Sequence, residues 1–309
     1  MFLMGPTASG KTALALELCR QMPFEIISVD SAMVYRGMDI GTAKPTAATL
    51  ALTPHRLIDI CDPSEVYSAG HFRADALKEI QAIHAENKIP LLVGGTGLYF
   101  RALQRGIADL PVADVFIRRK LTEEAASGGW QKMHERLRQV DAASAERIHP
   151  NDPQRIQRAL EVYQVSGRPL SSFFTEEKNR ALSCKIIKII VAPADRAMLH
   201  ERIRQRFEQM IEFGLINEVE SLYARGDLSA DLPSMRIVGY RQVWQYLESS
   251  LNREEMLEKA VVATRQLAKR QLTWLRAELD ACWFDSLEGD FVSKVLRFLR
   301  EDAILSPWV

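Results

Sequence analysis

The chain has 309 residues, 47% of them hydrophobic, with 40 Lys+Arg against 40 Asp+Glu and a formal net charge of zero. That length and apolar content allow a buried core in one large or two smaller domains, and the balanced charge excludes a globally basic polyanion binder but not a local basic surface. The four cysteines, Cys19, Cys61, Cys184 and Cys282, have no CxxC spacing, which argues against a zinc ribbon or disulfide framework and for a reducing cytoplasm.

In chain order, Met1–Leu3 are followed too soon by Lys11 and a helical pattern to read as a secretory signal. No run approaches the ~20 apolar residues of a membrane helix, so a soluble, cytoplasmic protein without a membrane partner is expected. Phe2–Met4 reads as a short buried strand, the residues after it as a glycine loop, and Lys11 to Met22 as a helix. Phe24–Val29 (FEIISV) is an apolar run of strand length, Arg56–Ile60 a candidate third strand, and Ile89–Val93 another. Between the last two, Gly70–Asn87 has helical periodicity, with Phe72, Ala76, Ile80 and Ile83 on one side. Strand and helix alternation of this kind predicts a parallel α/β sheet.

From about Ala113 to Ser183 only polar helical segments appear. One is delimited by Asp152 at its N-cap, Pro153 in its first turn and Gly167 with Pro169 at its end. Lys185–Val191 returns to strand character, and Arg196–Arg225 and Tyr240–Leu279 read as helices. The expected organisation is an α/β core, 1–112 with 186–309, interrupted by an all-helical insertion at 113–185.

GPTASGKT, residues 5–12, matches G-x-x-x-x-G-K-[ST] between an apolar strand and an amphipathic helix. Gly5 and Gly10 permit a tight turn and close approach to an anion, and successive N–H groups then face its oxygens at a helix N-terminus. Lys11 adds a positive charge, the Thr12 hydroxyl suits a Mg2+ ligand, and Pro6, Thr7, Ala8 and Ser9 complete the cradle. The loop stabilises anionic charge without specifying which bond breaks. It serves a kinase moving a terminal phosphoryl group and an enzyme holding a departing diphosphate equally well. Asp30 directly follows FEIISV, at a strand end of the kind that converges on the ligand crevice of a doubly wound sheet. A metal ligand, a helix N-cap and a general base are all open to it.

Taken together, GPTASGKT (5–12), DSAMVYRGMDIGTAKP (30–45), GGTGLY (94–99), QRIQRALEVY (154–163), MRIVGYRQ (235–242) and ATRQLAKRQLTWLR (263–276) resemble the tRNA dimethylallyltransferases in order through nearly the whole chain. The resemblance implies a P-loop NTPase-like core and transfer of a dimethylallyl group from dimethylallyl diphosphate to N6 of adenosine 37 in the tRNA anticodon loop. Diphosphate would then be the leaving group held by residues 5–12, with Mg2+ on Thr12. Asp30 would orient the N6 lone pair and take its proton. Thr96 would supply a hydroxyl to the extruded nucleotide, and Arg206, favoured over Arg204 by the family pattern, would help neutralise the leaving group. Met33 departs from the family pattern, where many relatives have Gln, and would exchange amide contacts to the adenine for thioether packing. The run before the loop is also shorter than is usual in relatives.

RNA contacts are expected from Asp30, Ser31, Ala32, Met33 and Thr96 in the crevice, and from Arg118, Gln154, Arg155, Ile156, Gln157 and Arg158 in the insertion gripping the anticodon stem-loop. Arg236, Gly239, Tyr240 and Arg241 precede a C-terminal helix that would contribute Arg265, Lys269, Arg270, Gln271, Leu272, Thr273, Trp274, Leu275 and Arg276. At ~100° per residue, Arg265, Lys269 and Arg276 fall within about 40° of one another, a basic stripe interleaved with stacking and hydrogen-bonding groups. Alkylation requires the base to leave its stack, which points to a channel through the core of a monomer. The rival readings are a P-loop small-molecule kinase, an isopentenyltransferase acting on free nucleotides, and a non-catalytic RNA-binding module. The first two leave the insertion and the stripe without a purpose; intact GKT and Asp30 oppose the third.

Overall fold

The computed structural model of the chain describes residues 1–175, 181–182 and 184–301; residues 176–180 and 183 of the expected helical insertion, and 302–309 of the expected core, lie outside the described residues. The chain divides into two compact units, Met1–Phe100 with Cys184–Val309, and Arg101–Ser183.

The first unit is built on six parallel strands in the order β3-β2-β4-β1-β5-β6: β1 (Phe2–Met4), β2 (Phe24–Val29), β3 (His55–Arg56), β4 (Ile89–Gly94), β5 (Lys188–Ala192) and β6 (Cys282–Asp285). The apolar runs of β1, β2 and β5 are almost wholly buried, as expected of parallel strands covered on both faces. Flanking helices are α1 (Lys11–Gln21), α2 (Ala47–Leu52), α3 (Ala69–Ala85) and α4 (Gly97–Arg105), within which the division between the units falls. Further along the chain come α9 (Arg196–Glu212), α10 (Leu215–Tyr223), α11 (Tyr240–Leu247), α12 (Arg253–Leu275) and α13 (Phe291–Glu301). One apolar cluster joins the sheet to Leu14, Leu18 and the α13 residues Val295 and Leu299. Another joins α9, α10, α11 and α12 beneath the segment containing Val34, Tyr35 and Met38.

Several sequence expectations change in detail. The third strand is only two residues, because Leu57 and Asp59 take positive φ values of 64° and 58° and turn the chain out of the extended region. The strand expected from Lys185 starts at Lys188, whose buried ammonium pairs with Glu278 and Asp280 at 2.6 and 3.0 Å. The helix expected over 196–225 is two, broken at Gly214 (φ 98°), and that over 240–279 is two, separated by a turn with Ser249 at φ 58°. β6 and α13 had no counterpart in the sequence reading, although CWFD and the spacing of Phe291, Val295 and Leu299 carry their signals.

The second unit contains α5 (Val115–Val140), kinked at Gly129, α6 (Ala142–Arg147), α7 (Pro153–Ser166) and α8 (Leu170–Thr175), with no strand among its described residues. Asp152 and Gly167 cap α7 as its sequence predicts. The unit begins well before residue 113 because Ala108 is part of its core and Pro111 O accepts from Arg158 on α7.

Candidate active site

Strand register brings three loops together. Met4 and Val29 both lie opposite Gly94, so Gly5, Asp30 and Gly95 leave the sheet side by side at its C-terminal edge. A side chain on Gly94 would collide with the Val29 carbonyl, so the third strand end approaches only as glycine.

Residues 5–12 run from buried Gly5 to the first turn of α1. Gly10 holds φ 91° as its N-cap, and Ala8 stands in the left-handed region at φ 61°. A non-glycine residue there is strained, and strain of this kind collects at binding loops. Lys11 Nζ reaches back to Pro6 O at 2.6 Å and to Ser9 Oγ at 3.5 Å. Burial lowers the Lys11 pKa to about 7; Asp30 opposes that shift and Arg206 adds to it. Arg206 is likewise lowered, by burial against an opposing pull from Asp30. Two desolvated cations facing one carboxylate make a site that gains from receiving an anion. Thr12 is exposed at the cradle's rim.

Two cavities meet here. The smaller, about 200 Å³, is lined by Thr7 to Ala13 with Asp30, Met33 and Arg206. The larger, about 660 Å³, is lined by Ser31, Ala32, Thr96 and Arg236, and by apolar Ile203, Phe207, Met210 and Val238. Thr7, Ala8, Asp30, Thr42, Gly95, Arg206 and Gln271 line both. Asp30 Oδ1 accepts from the Ala32 N–H at 2.8 Å, which fixes the carboxylate. Thr96 Oγ1 accepts from the Ser31 N–H at 3.1 Å, tying the second loop to the third. Met33 faces the smaller cavity, its sulfur 3.9 Å from the Ser28 hydroxyl.

The segment 30–45 is held from behind. Lys44 Nζ binds Tyr35 O at 2.8 Å and the Asp39 and Asp59 carboxylates at 2.5 Å each. Glu218 on α10 accepts from the backbone N–H groups of Asp39, Ile40 and Gly41 at 2.9, 2.7 and 3.2 Å, and from the Tyr240 hydroxyl at 2.5 Å. Nothing in LINEVESLY marks Glu218 as different from a solvated helix acid, and the sequence reading missed it. Tyr240, expected to touch RNA, is buried, and its hydroxyl is spent on Glu218. Gly239 is also buried, as the N-cap of α11, while Arg241 is exposed and Arg236 pairs with Asp231 at 3.1 Å.

α12 presents two different faces. It starts with a reciprocal cap, Asn252 and Glu255 each accepting the other's N–H at 2.9 Å. Its C-terminal turns carry Arg270, Gln271 and Trp274 into the larger cavity. Arg265, Lys269, Thr273 and Arg276 instead line a separate groove of about 300 Å³ with Arg196 and His200 of α9. The basic stripe is real, but it is on the far side of the helix from Asp30's cavity. The Arg265 Nε is buried there without a hydrogen-bond partner. Leu275 is buried and Leu272 packs against the core, so these two anchor the helix rather than meet RNA.

In the helical unit, fully buried Glu161 accepts from Arg118 Nε at 2.9 Å, Arg158 Nη1 at 2.8 Å and the Asp114 N–H at 2.8 Å. Of the arginines expected to grip RNA, Arg118 therefore ties α5 to α7, and Arg158, also bonded to Pro111 O, ties α7 to the segment before α5. Gln157 donates to Arg118 O and Thr122 Oγ1 at 3.1 and 2.8 Å, and Ile156 is in the core. Gln154 and Arg155 remain exposed at the start of α7.

Comparison with known proteins points to one family over most of the chain. The family model for IPP transferase matches residues 33–278. A tRNA dimethylallyltransferase of Coxiella burnetii (strain Dugway 5J108-111) is 59% identical over 298 residues, covering 96% of each chain. The crystal structure of the tRNA isopentenylpyrophosphate transferase from Bacillus halodurans is 38% identical with a TM-score of 0.69, covering 96% of this chain and 94% of that one. A eukaryotic dimethylallyltransferase acting on tRNA is 26% identical with a TM-score of 0.82, covering 99% of this chain and 79% of that one.

Proposed function

Because the chain belongs to the IPP transferase family, we propose that the dimethylallyl group it transfers to tRNA goes from dimethylallyl diphosphate to N6 of adenosine 37 in the anticodon loop. The observation that carries this reading is the meeting of two cavities at Asp30 and Arg206, one lined by the anion loop and the other by apolar and hydroxyl side chains.

The diphosphate binds residues 5–12, its charge met by the loop amides, Lys11 and Arg206. The extruded adenosine enters the larger cavity between Thr96 and the residues after Asp30. N6 is a weak nucleophile, because its lone pair is delocalised into the ring. The free oxygen of Asp30 accepts one N6 proton as a hydrogen bond, which turns the lone pair toward the allylic carbon. The new C–N bond forms as the C–O bond to diphosphate breaks, the bonding pair leaves on the diphosphate, and the N6 proton passes to Asp30. Thr12, the last residue of the loop, offers a hard oxygen ligand, and no group of three or more His, Cys, Asp or Glu able to hold a metal ion is found among the described residues, so Mg2+ would be held by Thr12 and chiefly by the diphosphate itself. Bound there, it adds positive charge against the leaving group.

RNA contacts fall to Ser31, Ala32, Arg270 and Trp274 at the cavity, to the Arg265, Lys269 and Arg276 groove for backbone phosphates, and to Gln154 and Arg155 in the helical unit. No helix among the described residues is long and apolar enough to cross a membrane. The test is transfer of labelled dimethylallyl diphosphate to anticodon stem-loops carrying A37 or G37. Label on the first alone supports the acceptor assignment. Equal label on both refutes it.

A further inference from the structure

Gln271 sits in the last two turns of α12 and bridges two walls of the diphosphate cavity. Its Oε1 accepts from the Thr7 N–H at 2.9 Å, and its Nε2 donates to Gly95 O at 3.0 Å. The network fixes the orientation of the amide, since the reverse would set donor against donor and acceptor against acceptor. Both partners are backbone groups separated from Gln271 by 264 and 176 residues, so one side chain joins three distant segments. The fit is close: a Cβ on Gly95 would collide with Nε2, and a Cβ on Gly97 would collide with the Trp274 indole, which stacks on Phe100 at 6.0 Å.

We propose that Gln271 is a positioning residue for the diphosphate site, setting the spacing between the loop at 5–12 and the loop at 94–97. This rests on the reading of residues 5–12 as the diphosphate cradle. Two consequences follow from the geometry. The Thr7 N–H is turned to Gln271 and away from the ligand, so the amide donors left for diphosphate begin at Ala8. The Gly95 carbonyl, whose oxygen would otherwise present negative density to an anion, is engaged by a donor. Losing Gln271 frees that oxygen and loosens the cradle's first turn together.

The experiment compares Gln271→Ala and Gln271→Glu with the wild-type protein, measuring equilibrium binding of dimethylallyl diphosphate without RNA, binding of an anticodon stem-loop without diphosphate, and thermal unfolding. For Gln271→Ala the account expects diphosphate affinity to fall roughly ten- to thirtyfold, the loss of two neutral hydrogen bonds, with RNA affinity unchanged. Gln271→Glu provides a readout that a merely structural role would not move. Its protonated acid presents the same donor and acceptor as the amide, whereas its carboxylate presents an acceptor to Gly95 O and a negative charge to the diphosphate. The ratio of variant to wild-type diphosphate affinity is therefore expected to recover as pH falls through the carboxyl pKa. Unchanged diphosphate affinity with weakened RNA binding overturns the proposal, as does a Glu variant whose affinity ratio does not change with pH. Wild-type protein that binds no dimethylallyl diphosphate would instead refute the reading of the site itself.

Discussion

Replacing Asp30 by Asn separates charge from shape at the centre of the site. The Ala32 N–H bond at 2.8 Å needs only an acceptor at Oδ1, which Asn retains, so the backbone after β2 keeps its path. What disappears is the negative charge that draws on Lys11 and Arg206 and the oxygen that would accept the N6 proton. General-base assistance contributes roughly 10²–10⁴ in rate, which at about 1.36 kcal/mol per decade is ~3–5 kcal/mol of barrier. Single-turnover transfer to a stem-loop should therefore slow by that factor. Diphosphate affinity should not weaken, since a like charge has left the neighbourhood of the anion. RNA affinity should stay close to wild type. Quench-flow with labelled dimethylallyl diphosphate, together with separate binding titrations, reads all three. Wild-type turnover in Asp30→Asn, or a parallel loss of diphosphate affinity, would remove Asp30 from proton transfer.

Three further outcomes follow from the same geometry. Arg265→Ala and Lys269→Ala should each weaken RNA binding and reduce its slope against log salt by about 1, measured by fluorescence anisotropy between 50 and 200 mM salt; an unchanged slope makes the groove a solvated face. Arg158→Ala should destabilise the helical unit by ~3 kcal/mol in urea, because Glu161 stays buried with one charged partner gone; wild-type stability would contradict the assignment of Arg158 as structural. Glu218→Ala strips the acceptor from three backbone N–H groups and Tyr240, and should cost about 3 kcal/mol, with Glu218→Gln retaining part of it; equal stability of all three proteins would show that the 39–41 turn holds itself.

Much of this architecture is legible in the sequence. FEIISV and the phosphate loop announce their elements because parallel strands are continuously apolar and the loop's glycines are demanded by its turns. The capped helix at 153–166 was equally plain, since Asp152, Pro153 and Gly167 act locally. The misreadings share a cause: pairing between distant residues. Arg118 and Arg158 looked like free cations because their partner Glu161 is hidden by folding, not by sequence. Tyr240 looked available until Glu218 was found beneath it. The stripe at Arg265, Lys269 and Arg276 was correctly phased, yet helical phase alone does not say which neighbour a face meets. Gln271, read as an RNA contact, turns out to bond two backbone segments that only the closed sheet brings within reach.

The most direct measurement is a crystal structure of the protein with an anticodon stem-loop and a non-reactive thiolodiphosphate analogue of dimethylallyl diphosphate. The account predicts diphosphate oxygens on the amides of Ala8 to Thr12, with adenosine 37 out of its stack and N6 at hydrogen-bond distance from Asp30. Diphosphate bound elsewhere, or an adenine whose N6 faces away from Asp30, would contradict it.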